Sequence, residues 1–226
     1  MTKKQKYDDP NNLQKIESSL SKAEIYIENN QKKLTYIIGA LILIIAAFFL
    51  YKNRVVEPRN ELAVESIWGA ERFFEIDSFH IALYGNENVQ GFLDIVDEFG
   101  STKSGNLAKY YAGVCYLRMG EYDNAIKFLK DFRAYEDLLK QLKLNLLGDA
   151  YSNKQEYKIA ADNYMKAAKV SDSEQFSSVY LLKAGMCFEK LNDKKSALAV
   201  YSEIKNKYPQ SDEGQMIDKY IVRVTL

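Results

Sequence analysis

The chain has 226 residues, room for one or two globular domains or a short repeat array. Its 31 Lys and Arg balance 31 Asp and Glu, which argues against a nucleic-acid partner, since general nucleic-acid binders need a basic face. A hydrophobic fraction of 47% excludes wholesale disorder, and only 3 Pro and 11 Gly favour long helices over a turn-rich β fold. With His80 the single histidine, any Ser-His-Asp or Cys-His nucleophile system would rest on that one residue. Two cysteines, Cys115 and Cys187, are too few for a disulfide framework or, with one His, a zinc site. An enzyme is not expected, and no motif for a cofactor or metal is present.

Residues 1–33 form a polar leader with 7 Lys against 5 Asp and Glu. Within it Leu13, Ile16, Leu20, Ala23 and Ile27 recur at spacings of three and four, a narrow apolar seam on a helix. Pro10, Asn11 and Asn12 suit the start of that helix. Two readings stand: a helix lying on the membrane surface, or one docking on a protein partner through Leu13, Ile16, Leu20 and Ile27.

Leu34–Tyr51 follows, 18 residues without a charge, bracketed by Lys32 and Lys33 before and by Lys52 and Arg54 after. As a helix it spans about 27 Å, close to the hydrocarbon thickness of a bilayer. A core helix would carry more polar residues along one side. A signal peptide would have a shorter apolar stretch and small residues where Phe48, Phe49 and Leu50 stand. The segment is read as an uncleaved anchor in the lipid bilayer. Four Lys lie within about 20 residues before it, and one Lys and two Arg after, so the positive-inside rule leans slightly toward a cytoplasmic N-terminus.

Beyond residue 52 the chain repeats itself. Gly113, Gly148 and Gly185 stand 35 and 37 residues apart; three residues after each comes an aromatic (Tyr116, Tyr151, Phe188) and twelve after each an alanine (Ala125, Ala160, Ala197). Leu129, Tyr164 and Tyr201 follow those alanines by four. A small residue lets two helix backbones approach, and the aromatic a turn later fills the space above it. Each copy therefore reads helix, turn, helix, with turns expected at Met119–Glu121, Lys154–Glu156 and Asn192–Lys194. One such hairpin cannot bury its own apolar face, so copies must stack. Residues 59–83 look like a degenerate opening copy, with Ala70, Phe73, Phe79 and Ala82 at matching offsets, interrupted by a loop and by a helix-like stretch, GFLDIVDEF. Ser211–Thr225 reads as a closing helix that covers the last copy with Met216, Ile217, Tyr220, Ile221 and Val224. Cys115 and Cys187 occupy one slot in two copies and are expected as buried thiols; His80 and Trp68 are expected as packing residues.

The repeat resembles the tetratricopeptide (TPR) repeat, a helix–turn–helix of about 34 residues. The expected fold is all-α: one transmembrane helix followed by an α-solenoid of three to four repeats and a capping helix. The segments are a leader (1–33), an anchor (34–51), a linker with the degenerate opening repeat (52–105), three repeats (106–210) and the cap (211–226). The order of parts, with SLSKAEIYIENNQKK before the anchor and ALYGNENVQGFLDIVDEFGSTKSGNLAKYYAG in the opening repeat, is similar to the YfgM-like bacterial inner-membrane proteins in their Bacteroidota form. That resemblance implies a cytoplasmic N-terminus and a periplasmic TPR domain. It further implies association with the SecYEG translocon and a PpiD-like membrane-anchored chaperone, with secretory or membrane proteins as clients. A scaffold for a different envelope assembly stays open beside it.

In TPR arrays the positions six and three before the aligned glycine, and one and four after it, face the groove. Here they are Leu107, Tyr110, Val114 and Leu117; Leu142, Asn145, Asp149 and Ser152; and Val179, Leu182, Met186 and Glu189. Eight of these twelve are apolar or aromatic, more than a solvated face carries as one patch. They are expected to bind an apolar segment, with Asn145 and Asp149 holding its backbone groups. The alternative is a groove filled by the closing helix or by residues around Trp68.

Overall fold

Pro10 is the first described residue of the first helix. The computed structural model describes residues 10–171 and 173–226; the side chains of 10–20 and 23 lie outside this set, among them those of Leu13, Ile16 and Leu20 in the expected leader contact. The chain divides into two units, residues 1–58 and 59–226.

In the first unit, α1 (Pro10–Tyr51) runs without a break from leader through apolar segment. Ile27, the fourth leader position, is 54% exposed. The apolar stretch has none of its 18-residue window buried in the protein, unlike a core helix, and it is long and apolar enough to cross a membrane. Ile37, Leu41, Leu43, Phe48 and Leu50 all stand bare, and each forgoes about 1.5–3 kcal/mol if left in water. Such a surface suits an apolar medium. A π-helical stretch, Lys52–Val56, follows. Its cause is Pro58, which cannot donate to the Arg54 carbonyl and crowds it, so the preceding turn widens.

The second unit is built of helical hairpins. After α2 (Glu57–Glu75) come α3 (Phe79–Tyr84), α4 (Phe92–Phe99), α5 (Lys103–Arg118), α6 (Tyr122–Asp131), α7 (Asp137–Asn153), α8 (Tyr157–Val170), α9 (Glu174–Lys190), α10 (Lys194–Lys207), α11 (Asp212–Met216) and α12 (Asp218–Thr225). Among the described residues the only strand-like feature is one bridge between Asn86 and Val89.

One turn recurs four times. Asp77, Gly120, Gln155 and Asn192 have φ of 59°, 80°, 63° and 59°, and each ends a helix in the same way. The amide of that residue donates to the carbonyl three back and the next amide to the carbonyl five back, as in Gln155 to Ser152 and Glu156 to Tyr151. This is the Schellman arrangement, which satisfies the orphan carbonyls of the helix end. The third repeat turns at Leu191–Asp193, one residue earlier than expected, and Lys194 begins α10. The reason is Asp193, whose carboxylate accepts from the Ser196 amide and caps the helix.

The glycines sit where helices cross. A Cβ on Gly113 would lie 2.7 Å from Leu129, on Gly148 2.5 Å from Tyr164, and on Gly185 2.2 Å from Tyr201. In the opening hairpin Ala70 and Ala82 are fully buried at the corresponding offsets. There the second helix is cut short at Gly85, whose positive φ starts the Asn86–Val89 turn, and α4 completes the layer with Phe92, Ile95 and Phe99.

Trp68 corrects its expectation: it is 69% exposed. The buried positions of α2 are Ala63, Ile67 and Ala70, and the residue after Ile67 lies about 100° around the helix from it. His80 is likewise exposed, with its ring against Tyr84. The expected closing helix is two, α11 and α12; Ile217 and Val224 are buried as expected, whereas Met216 is exposed because α11 ends there.

Buried side chains gather in three clusters. One joins α2 to α6 around Phe92 and Ala112, and one joins α8 to α12 around Tyr201 and Phe188. Between them lies a small set: Ile126, Leu129, Leu147 and Ala150. Polar ties reinforce this middle. The Lys143 ammonium donates to the Lys130 and Phe132 carbonyls at 3.0 and 2.6 Å, closing the end of α6. Asn106 exchanges two hydrogen bonds with the Arg133 backbone, both 2.9 Å.

Candidate partner groove

The first helices of the repeats, α5, α7 and α9, carry the twelve groove positions. In α5, Tyr110 leans on Phe132 and Tyr111 with ring centroids 5.4 and 5.6 Å apart, and Val114 is buried. Leu107 and Leu117 are half-buried against the first cluster and Leu182 against the last. Leu142 and Val179 are half-buried too, and Met186 is 46% exposed. Ten of the twelve positions are thus partly covered, while Val114 is buried and Met186 is exposed.

Asn145 and Asp149 do something other than expected. Lys183, one repeat later, donates to Asn145 Oδ1 and to Asp149 Oδ1, each at 2.8 Å. The Tyr164 hydroxyl donates to Asp149 Oδ1 at 2.7 Å, and Asn145 Nδ2 reaches Asp149 Oδ2 at 3.3 Å. Asp149 is thus committed inside the protein. Its carboxylate neutralises Lys183 at a site where both side chains are about two-thirds covered. Burial, then the adjacent Asp149 charge, push the Tyr164 phenol far above its usual range. Tyr180 rises for the same first reason, and it too feels Asp149 and Tyr110. This network joins α7, α8 and α9 and sets the spacing of two repeats.

Sequence reasoning missed Tyr164 and Lys183 as partners of Asn145 and Asp149. The signal for Lys183 was present: an opposite charge on the next first helix, 34 residues from Asp149. Cys187 lies beside the Ser152 hydroxyl at 4.0 Å, and burial raises its thiol pKa. Cys115, fully buried, is pushed up to about 12 by the same cause. Both are free thiols, protonated at neutral pH and poor nucleophiles.

Two cavities open on α9. The first, about 250 Å³, is lined by Ser152, Tyr157, Tyr164, Lys183, Met186, Cys187 and Lys190. The second, about 380 Å³, lies among Met186, Glu189, Lys190 and Arg223. Arg223 of α12 pairs with Glu189 at 2.6 Å and stacks 4.7 Å from the Tyr220 ring centroid. Tyr201 also donates to Glu189. Burial raises the Glu189 pKa, but the bonds from Arg223 and Tyr201 outweigh it and hold the carboxyl below its usual range. The cap thus reaches the Glu189 end of the groove, while Trp68 lies exposed on α2. Among the described residues no group of three His, Cys, Asp or Glu side chains is placed to hold a metal.

Residues 107–140 and 180–211 match one family model described as tetratricopeptide repeat, and residues 144–173 match another with the same description. The comparison with curated proteins gives no match. The matches fall on the hairpins α5–α6, α7–α8 and α9–α10, which form a TPR array, and TPR arrays present surfaces to other proteins.

Proposed function

We propose that this protein is a non-enzymatic, membrane-anchored TPR scaffold of the bacterial inner membrane. In this reading α1 spans the bilayer with its N-terminus in the cytoplasm, and the array works in the periplasm beside the SecYEG translocon. Its groove receives a PpiD-like anchored chaperone or an emerging secretory or membrane protein. The observation that carries the binding role is the line of half-covered apolar side chains, Tyr110, Leu142, Leu182 and Met186, on successive first helices. The translocon assignment is supported by the order of parts, an exposed apolar helix ahead of an interrupted opening repeat.

The test uses the full chain in its own cells, with a photo-crosslinker in place of Tyr110 and co-purification in mild detergent. Translocon subunits or a PpiD-like chaperone should come down together with the crosslinked product. Recovery of a different envelope complex would replace the translocon with that assembly. Protease added to spheroplasts should remove the array and spare the leader; a protected array reverses the topology and ends the periplasmic reading.

A further inference from the structure

The first α9 cavity differs from the rest of the groove in what its charges are doing. Its walls carry the rings of Tyr157 and Tyr164 and the sulfurs of Met186 and Cys187, and its lining includes two lysines and no carboxylate. Lys183 is spent on Asp149 and Asn145. Lys190, at the edge shared with the second cavity, has no ion-pair partner among the described residues, because Arg223 takes Glu189. At about 250 Å³ the space is below the roughly 300–1,000 Å³ of a small-molecule site and suits one bulky side chain. Thioether and aromatic walls adapt to varied apolar shapes.

We infer that this cavity anchors a single bulky apolar side chain of a partner protein's exposed segment, and that Lys190 binds an Asp or Glu carboxylate adjacent to it. The assignment rests on the scaffold reading above and adds the chemistry of the partner: an apolar residue beside an acid. Charge complementarity chooses the acid, since Asp149 already neutralises Lys183 and a basic flank would meet Lys190, whose charge no ion pair balances. The apolar residue supplies the affinity, because burying it in a preformed pocket releases water from both surfaces. The carboxylate sets register and preference, as expected of an exposed rim charge.

The test is fluorescence anisotropy of the full chain in detergent micelles with three labelled Ser/Asn peptides. These carry a central Phe-Glu, Phe-Lys or Ser-Glu pair. Phe-Glu should bind best, Phe-Lys roughly fivefold more weakly and Ser-Glu at least about tenfold more weakly. Lys190→Glu, at an exposed site and with unchanged helicity by circular dichroism, should invert the order of Phe-Glu and Phe-Lys. Equal affinity for Phe-Glu and Phe-Lys, an unaltered order in Lys190→Glu, or binding of none of the peptides overturns the assignment. So does a photo-crosslinker at Met186 that captures only a second copy or the chain's own leader. Failure of the peptides with partners still captured at Tyr110 removes this anchor and leaves the scaffold; ordered peptide binding with no envelope partner at Tyr110 does the reverse.

Discussion

Gly148 and Gln155 hold opposite ends of one constraint. Gly148 is needed because Tyr164 occupies the space a Cβ would take, whereas Gln155 sits where only glycine is unstrained. Adding the methyl in Gly148→Ala must displace the Tyr164 ring and with it the hydrogen bond to Asp149, at a cost of roughly 1–3 kcal/mol. Removing the side chain in Gln155→Gly relieves the left-handed backbone and should stabilise by roughly 0.5–1 kcal/mol after the glycine's extra unfolded entropy. Chemical denaturation of the two variants in the same detergent checks both signs; a stabilised Gly148→Ala would show that the crossing is looser than its geometry. These spacings were legible in the sequence because glycine, aromatic and alanine recur at fixed offsets. The partners of Asn145 and Asp149 were not, because Lys183 lies in the next repeat and only the packing of α7 on α9 brings it in.

At the scale of elements, the capping pair α11–α12 is fastened to the array by Ile217 and Val224 in the core and by Arg223 on Glu189. Because the Glu189 carboxyl is held below its usual value of 4.5, the pair stabilises the folded protein at neutral pH. That contribution is full above the ordinary carboxylate range and is lost as pH falls below it through the folded value. Arg223 is half-exposed, so the effect is small, under about 1 kcal/mol. The protection of α12 amides, taken relative to the intrinsic exchange rate at each pH, should therefore fall between neutral pH and about pH 3, and Glu189→Gln should flatten the response. An identical acid response in that variant assigns it elsewhere. Helices α5 to α10 were readable from the repeat rather than from period alone, since α5 buries the consecutive residues Ala112 to Tyr116 and shows no single stripe. Trp68 misled for a physical reason: a large aromatic reads as core, yet its place one residue after Ile67 turns it outward. Ser211–Thr225 contains no proline, and its one glycine, Gly214, was not read as the sign of the division at Ile217.

For the array as a whole, the arrangement of buried side chains has a consequence for cooperativity. Between two broad clusters the α6–α7 junction carries a small one, Ile126, Leu129, Leu147 and Ala150, and outside it Phe132 and Gln141 are buried. In a linear array each layer is stabilised by its neighbours alone, so a thin layer is where coupling is weakest. Leu147→Ala removes roughly 2–5 kcal/mol from that layer. It should split one unfolding transition into two, with α8–α12 outlasting α2–α6 in native-state hydrogen exchange. A single unchanged transition would mean that the ties from Lys143 and Asn106 carry the coupling instead. If the blocks separate, the protein is a pair of foldons hinged at α6–α7. Its groove then gains a second degree of freedom: the walls around Tyr110 and around Met186 can part at the junction, admitting a thick segment while every helix stays formed.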